Sequence, residues 1–249
     1  MLKLDWLKST FAPKPSGYSV TEFPVITKMD LKVIDLGLTD YLEAWDLQKD
    51  ILQKVINGEL DSALIFCRHY PVITLGRAAS QESLRLGEEL IRANGVKLYN
   101  IERGGDATYH GPGQLTVYPL LNLGYFKKDI HWFLRELESL IISSLADFNL
   151  RVSRVEGFTG AWVGNKKIAS IGIAIKHWVT YHGLSINIKR DDLDNFDLIR
   201  PCGMDVKVTS LEEALGRKVE IADVKFALLE KFNELLRREH GKSCFAGIR

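Results

Sequence analysis

The sequence predicts an α+β fold, a mixed β-sheet with helices packed on one side. Three observations predict it. The run Ser62-Ala63-Leu64-Ile65-Phe66-Cys67 is short and almost wholly apolar, as a strand in the middle of a sheet is. Phe133, Leu137, Leu140, Ile141, Ser144, Leu145 and Phe148 recur at helical spacing, so one face of that stretch packs on something. Finally, Ala161-Trp162-Val163 and residues 168–175 flank Gly164-Asn165-Lys166-Lys167, a hairpin signal that rules out an all-parallel sheet.

Taken in order, residues 1–30 form an N-terminal extension, turn-rich around Pro13 and Pro15, whose aromatic residues Trp6, Phe11, Tyr18 and Phe23 are available to dock on the body. Residues 31–249 show no internal boundary and are expected to form one domain. Residues 31–36 predict a strand. Thr39 or Asp40 then caps a helix whose face is Tyr41, Ala44, Trp45, Gln48, Ile51, Leu52 and Val55, ended by Asn57-Gly58. Strands follow at 62–67 and 72–75, with His69 between them more suited to a structural role than to lining a site. A helix is predicted over 80–92 and a strand over 96–101.

Residues 103–114 hold four glycines and one proline, which predicts a loop with backbone N–H groups free to face a ligand. The loop runs from one strand into another, at 115–121, which argues against a phosphate-binding loop that opens a helix. A long helix is predicted over 129–148 and a strand over 151–156. After the hairpin, Ala169, Ile171, Ile173 and Ile175 share one face; Ser170, Gly172 and Ala174 share the other, which is small enough for close approach. Alternation puts Lys167 with the large apolar face, where lost solvation would lower its pKa; a bulge beside the turn would reverse that parity. His182-Gly183 interrupts the next strand. Ser210 and Glu213 have capping-box spacing, Gly216 ends that short helix, and a last amphipathic helix runs over 221–238.

Composition excludes several function classes. The chain has 249 residues, 46% hydrophobic and 26% charged, with a formal net charge of +1. That balance gives no global field for nucleic acid or a membrane surface, and no apolar stretch approaches a membrane span. Three widely separated cysteines make neither a disulfide framework nor a zinc spacing, so no metal is expected and the cytoplasm is the simplest setting. Cys67 belongs to an apolar strand and Cys244 lies near the end. Cys202 differs, because it sits in Arg200-Pro201-Cys202-Gly203-Met204. A rigid turn presents its sulfur, and the neighbouring Arg200 favours the thiolate; the alternative is a thiol buried in a turn.

Several separated motifs, in order, resemble the lipoyl(octanoyl) transferases of lipoate biosynthesis. They are Arg103-Gly104-Gly105 with Thr108-Tyr109-His110-Gly111-Pro112-Gly113-Gln114, then Gly160-Ala161-Trp162-Val163, Lys167-Ile168-Ala169-Ser170-Ile171-Gly172, His182-Gly183, and Pro201-Cys202-Gly203 followed by Val208-Thr209-Ser210-Leu211. The resemblance spans about residues 31–215. It implies the fold of biotin and lipoate protein ligases and the transfer of an octanoyl group from octanoyl-acyl carrier protein to a lysine of a lipoyl domain. The acceptors implied are lipoyl domains of 2-oxoacid dehydrogenase complexes and the glycine cleavage H protein. The catalytic pair would fall on Cys202 and Lys167. The acyl-binding positions would fall on Arg103, Gly104, Gly105, Asp106, Ala107, Thr108, Tyr109 and His110, on Ser170, Ile171 and Gly172, and on Gly183, Leu184 and Ser185. Met204 departs from the isoleucine common in the family, and Asp106 adds an acid at a variable position. Exchange between thioesters is nearly balanced and the final amide is downhill, so the resemblance implies no cofactor and no ATP. Two rivals share the fold: an ATP-dependent ligase that needs no cysteine, and a non-catalytic acyl-binding domain.

Overall fold

The computed structural model describes residues 19–22, 30–200 and 206–246. Among the described residues, eleven strands form two sheets. The large one has eight strands in the order β1-β2-β3-β7-β11-β10-β9-β8, and the small one has three in the order β5-β4-β6. β1 (Ser19–Glu22) runs antiparallel to β2 (Leu31–Thr39), and β2 runs parallel to β3 (Ser62–His69), with α1 (Tyr41–Ile56) as the crossover. Every other pairing in the large sheet is antiparallel, through β7 (Gln114–Leu121), β8 (Ser153–Val155), β9 (Phe158–Val163), β10 (Lys166–Lys176) and β11 (Val179–Asn187). The last four strands are a meander joined by two-residue turns. The small sheet joins β4 (Val72–Leu75), parallel to β5 (Lys97–Asn100), with β6 (Ala107–His110) antiparallel on its other side.

Helices cover both faces of the large sheet, not the single face expected. β3 shows why: it is buried on both sides. Leu64 and Phe66 point to a core shared with α3 (Ile130–Ala146) and α5 (Ile221–Ala246). Ala63, Ile65 and Cys67 point the other way, to a core shared with α1. Continuous apolarity in a strand signals cover on both faces, and it was present in the sequence.

Helix starts carry side-chain caps, at Asp40 and Ser210 as predicted and at Asp129 as well. The Asp40 side chain accepts from the Leu42 amide at 3.0 Å, and Asp129 from the Trp132 amide at 3.0 Å. Ser210 accepts from Glu213 N–H at 3.2 Å to start α4 (Leu211–Leu215), and Gly216 ends it at φ 66°. α5 continues eight residues past the predicted end.

Three other local expectations need correction. Residues 80–92 are not one helix. A capped 3-10 turn at Gln81–Ser83 gives way to extended Leu84, which bridges Ile199, and α2 (Glu88–Ala93) begins only after Gly87. The pull of Leu84 into the small-sheet core outweighs helical periodicity. Residues 103–114 are not wholly irregular, since β6 lies inside them. The hairpin turn is Gly164-Asn165 alone; both lysines already belong to β10. The leader's Trp6, Phe11, Tyr18 and Phe23 lie outside the described residues, apart from its strand β1.

Candidate active site

A cavity of about 860 Å³ lies between the α1 side of the large sheet, the 103–110 stretch and the 190–199 segment. That size suits a small-molecule or acyl pocket. Its back wall is built by register. Ser170 on β10 faces Ser185 on β11, which faces Thr116 on β7, and one step away Gly172 faces Gly183. All five residues line the cavity.

The two glycines have backbone neighbours, which answers why they are glycines. A Cβ on Gly172 would fall 2.8 Å from Arg103 Cδ and 2.9 Å from the Gly104 carbonyl oxygen. A Cβ on Gly183 would fall 2.1 Å from the Val117 carbonyl oxygen. Gly172 therefore lets the 103–104 corner lie against the large sheet, and the Gly104 amide donates to the Ile173 carbonyl at 2.8 Å. The expectation that this loop's N–H groups are free for a ligand fails at Gly104.

Arg103 lines the cavity with its charge held by the small sheet. Its guanidinium donates to the Thr74 carbonyl at 2.7 Å and hydroxyl at 2.9 Å. Burial pulls its pKa down to about 10, so it stays cationic at neutral pH. His110 stacks on Tyr41 at 6.1 Å between ring centroids, and burial holds it neutral. Behind them His69 meets the Tyr118 hydroxyl at 2.7 Å, while Tyr41 and Tyr118 face the cavity. His69 is buried and structural, and Cys67 beside it is a core thiol whose pKa burial raises.

Of the predicted binding positions, Arg103, Gly105, Asp106, Ala107, Thr108, His110, Ser170, Ile171, Gly172, Gly183, Leu184 and Ser185 line the cavity. Gly104 and Tyr109 do not. Tyr109 is buried in the small-sheet core, its ring edge-on to Phe196 at 5.6 Å and its hydroxyl accepting from Asn195 Nδ2 at 2.9 Å. It anchors the 190–199 wall instead.

Lys167 also lines the cavity. The register of β9 against β10 shifts between Lys167 and Ala169. That bulge reverses the parity read from alternation: Ile168 enters the core and Lys167 turns to the cavity side. Its Nζ lies 5.5 Å from the centre of the Trp162 ring. Its backbone is clamped to the 206–209 segment by an isolated parallel bridge to Val208, donating to the Lys207 carbonyl at 2.8 Å and accepting from the Thr209 amide at 3.0 Å. Cys202 lies outside the described residues; Ile199 before it and Val206 after it both line the cavity. Sequence reasoning did not assign Tyr41, Thr116, Tyr118 and Trp162 to the site. The first three occupy positions that also read as core, and only pairing register distinguishes them.

His182 adopts φ 56°, a left-handed conformation uncommon outside glycine. The twist turns it toward α1, where its amide donates to Gln48 Oε1 at 2.8 Å and its Nε2 lies 3.4 Å from Glu102 Oε2.

The architecture is shared with solved lipoate protein ligases. A putative lipoate protein ligase of T. acidophilum with bound lipoic acid is 18% identical, with a TM-score of 0.64 over 82% of this chain and 85% of that one. A lipoate-protein ligase A bound with ATP is 19% identical, with a TM-score of 0.64 over 83% and 85%. Residues 40–233 match the lipoyl protein ligase A/B catalytic domain. Fold and cavity thus define the class: an α+β domain of the lipoyl protein ligase A/B type. Within it, an octanoyltransferase of Rubrobacter xylanophilus is 43% identical over 203 residues, 80% of this chain and 90% of that protein. One of Caldanaerobacter subterraneus is 40% identical over 206 residues, 82% and 89% respectively. The chain belongs to the lipoyl(octanoyl) transferase family, and it is an acyltransferase.

Proposed function

We propose that this chain moves an octanoyl group from octanoyl-acyl carrier protein to a lysine of a lipoyl domain, through a thioester on Cys202. Octanoyl transfer in protein lipoylation is the family's activity, and the cavity suits a straight acyl chain. Acceptors are the lipoyl domains of 2-oxoacid dehydrogenase complexes and the glycine cleavage H protein. Residues 31–249 act as one catalytic unit with 1–30 as an extension. The cytoplasm is its setting, in keeping with three scattered cysteines. Among the described residues no helix is long and apolar enough to cross a membrane.

The observation that carries the assignment is the clamp on Lys167. Its amide and carbonyl hold Lys207 and Thr209, five and seven residues after Cys202, while its side chain lines the cavity. A thiol needs help to ionise at neutral pH. Lys167 takes the Cys202 proton. The thiolate attacks the donor carbonyl carbon, the bond to the carrier sulfur breaks, and Lys167 returns the proton to that leaving sulfur. The acceptor amine then attacks the thioester; its nitrogen loses a proton to Lys167, the bond to Cys202 breaks, and the proton returns to the Cys202 sulfur. Arg103, charged and cavity-lining, adds a positive field to the acyl-binding end.

Intact mass after mixing with octanoyl carrier tests this. The wild type gains one octanoyl group and Cys202→Ala gains none. Cys202→Ser and Lys167→Ala each lower turnover by about a thousandfold or more, the scale of losing a nucleophile or its base. Wild-type rates in either variant would overturn the assignment, and an absolute need for ATP would favour the ligase chemistry of the fold.

A further inference from the structure

We infer that Glu138 is a positioning residue for Lys167, acting through the backbone of Gly160; this rests on Lys167 being the general base proposed above. Glu138 sits in α3 on the side of the sheet away from the cavity, and its side chain is 1% exposed. A carboxylate this buried needs partners on both oxygens. Oε2 accepts from Arg135 Nη1 at 2.7 Å and from Arg154 Nε at 2.8 Å. Oε1 does something different: it accepts from the Gly160 amide at 3.2 Å.

Gly160 is the floor on which Lys167 rests. Its φ is 126°, a region that side chains rarely adopt. A Cβ there would lie 2.8 Å from Lys167 Cε, 3.4 Å from Lys167 Nζ and 2.5 Å from the Ala169 carbonyl oxygen. Gly160 therefore touches the far end of the lysine, next to the register shift that turned the lysine into the cavity. Its own amide is bonded to the Glu138 carboxylate. Without that bond nothing in α3 holds the Gly160 peptide at its unusual angle, and the lysine's terminal methylene loses its floor. The two arginines are 60% and 40% exposed, so water replaces their share of the network readily.

Two conservative variants separate reach from charge. Glu138→Asp keeps the charge and falls short of Gly160 by one methylene; Glu138→Gln keeps an oxygen in reach and loses the charge. Burst amplitude of octanoyl-enzyme counts competent sites, and the rate constant within the burst reports positioning. Glu138→Asp is expected to slow acylation about tenfold or more at saturating donor, with KM for the donor unchanged, as small misplacements of a reacting group do. Glu138→Gln is expected to stay within about twofold of wild type. Arg154→Ala, which removes one of the two ion-pair partners and the bonds to the Arg135 carbonyl and Ser139 hydroxyl but leaves the Gly160 bond, is expected to lower Tm without changing the rate constant. The inference is overturned if Glu138→Asp acylates at the wild-type rate, if Glu138→Gln slows as much as Glu138→Asp, or if Arg154→Ala slows alike. Absence of any burst in the wild type would instead sink the thioester mechanism on which it rests.

Discussion

Gly183 separates two explanations that a sequence leaves open. A glycine in a strand marks close approach, either by a ligand or by another backbone. Here the neighbour is β7: an added Cβ would fall 2.1 Å from the Val117 carbonyl oxygen and 2.7 Å from Pro119 Cδ. Neither atom belongs to a flexible side chain's free end, so strands β7 and β11 would have to separate. Gly183→Ala is expected to cost about 3 kcal/mol or more, at the top of the overpacking range, seen as a lower denaturation midpoint. A midpoint within about 0.5 kcal/mol of wild type, the range of an innocuous surface change, would contradict the packing account. Cys202 stands apart in the sequence because Pro201 and Gly203 flank it, and its role is the proposal made above. Glu138 was not, because one acid on an amphipathic helix looks solvated until the fold brings Arg154 and Gly160 beside it.

The β10–β11 turn shows how far local pattern carries an element. His177 and Trp178 take φ of 50° and 65°, the pair of positive angles that two-residue hairpins of this hand demand. Asn-Gly meets that demand at least cost; a histidine and a tryptophan do not. The turn survives because its neighbours hold it, with the Leu123 amide donating to the Trp178 carbonyl at 2.8 Å and Val179 bridging Asn122. Replacing His177-Trp178 by Asn-Gly is expected to stabilise the fold by about 1–2 kcal/mol, measured as a higher denaturant midpoint at unchanged slope. A lower midpoint would mean the side chains contribute more than the strain. The meander strands were read from alternation, yet the bulge at Lys167 was not. Its position depends on which residues of β9 and β10 meet, and the 80–92 break depends on Ile199, more than a hundred residues away. Strand register decides the first and a long-range bridge the second, and neither shows in local periodicity.

Across the whole molecule, buried neutral histidines couple stability to pH. Burial pushes His69 and His182 down to about 4 and His110 well below its ordinary 6.5. The unfolded chain takes up these protons below about 6.5, while the folded one resists until near 4. The unfolded state thus binds more protons in that window, and stability falls as pH drops from 6.5 toward 4. His69 and His182 each contribute on the order of 3 kcal/mol to that fall. His69→Gln, which keeps a partner for Tyr118, is expected to flatten the dependence of the denaturation midpoint on pH; an unchanged slope would assign the effect to carboxylates. An α+β class with a mixed sheet was legible from periodicity. The second sheet and the cover on both faces were not, since both depend on which strands pair. The outer border of the large sheet carries one more consequence. Four residues of β1 lie along Lys32, Val33, Ile34 and Asp35, and β8 at the opposite border has only three. Take the leader away, and the four residues of β2 that it covers join the rest of that strand as an open ribbon, inviting a second copy to stitch itself on and seed aggregates.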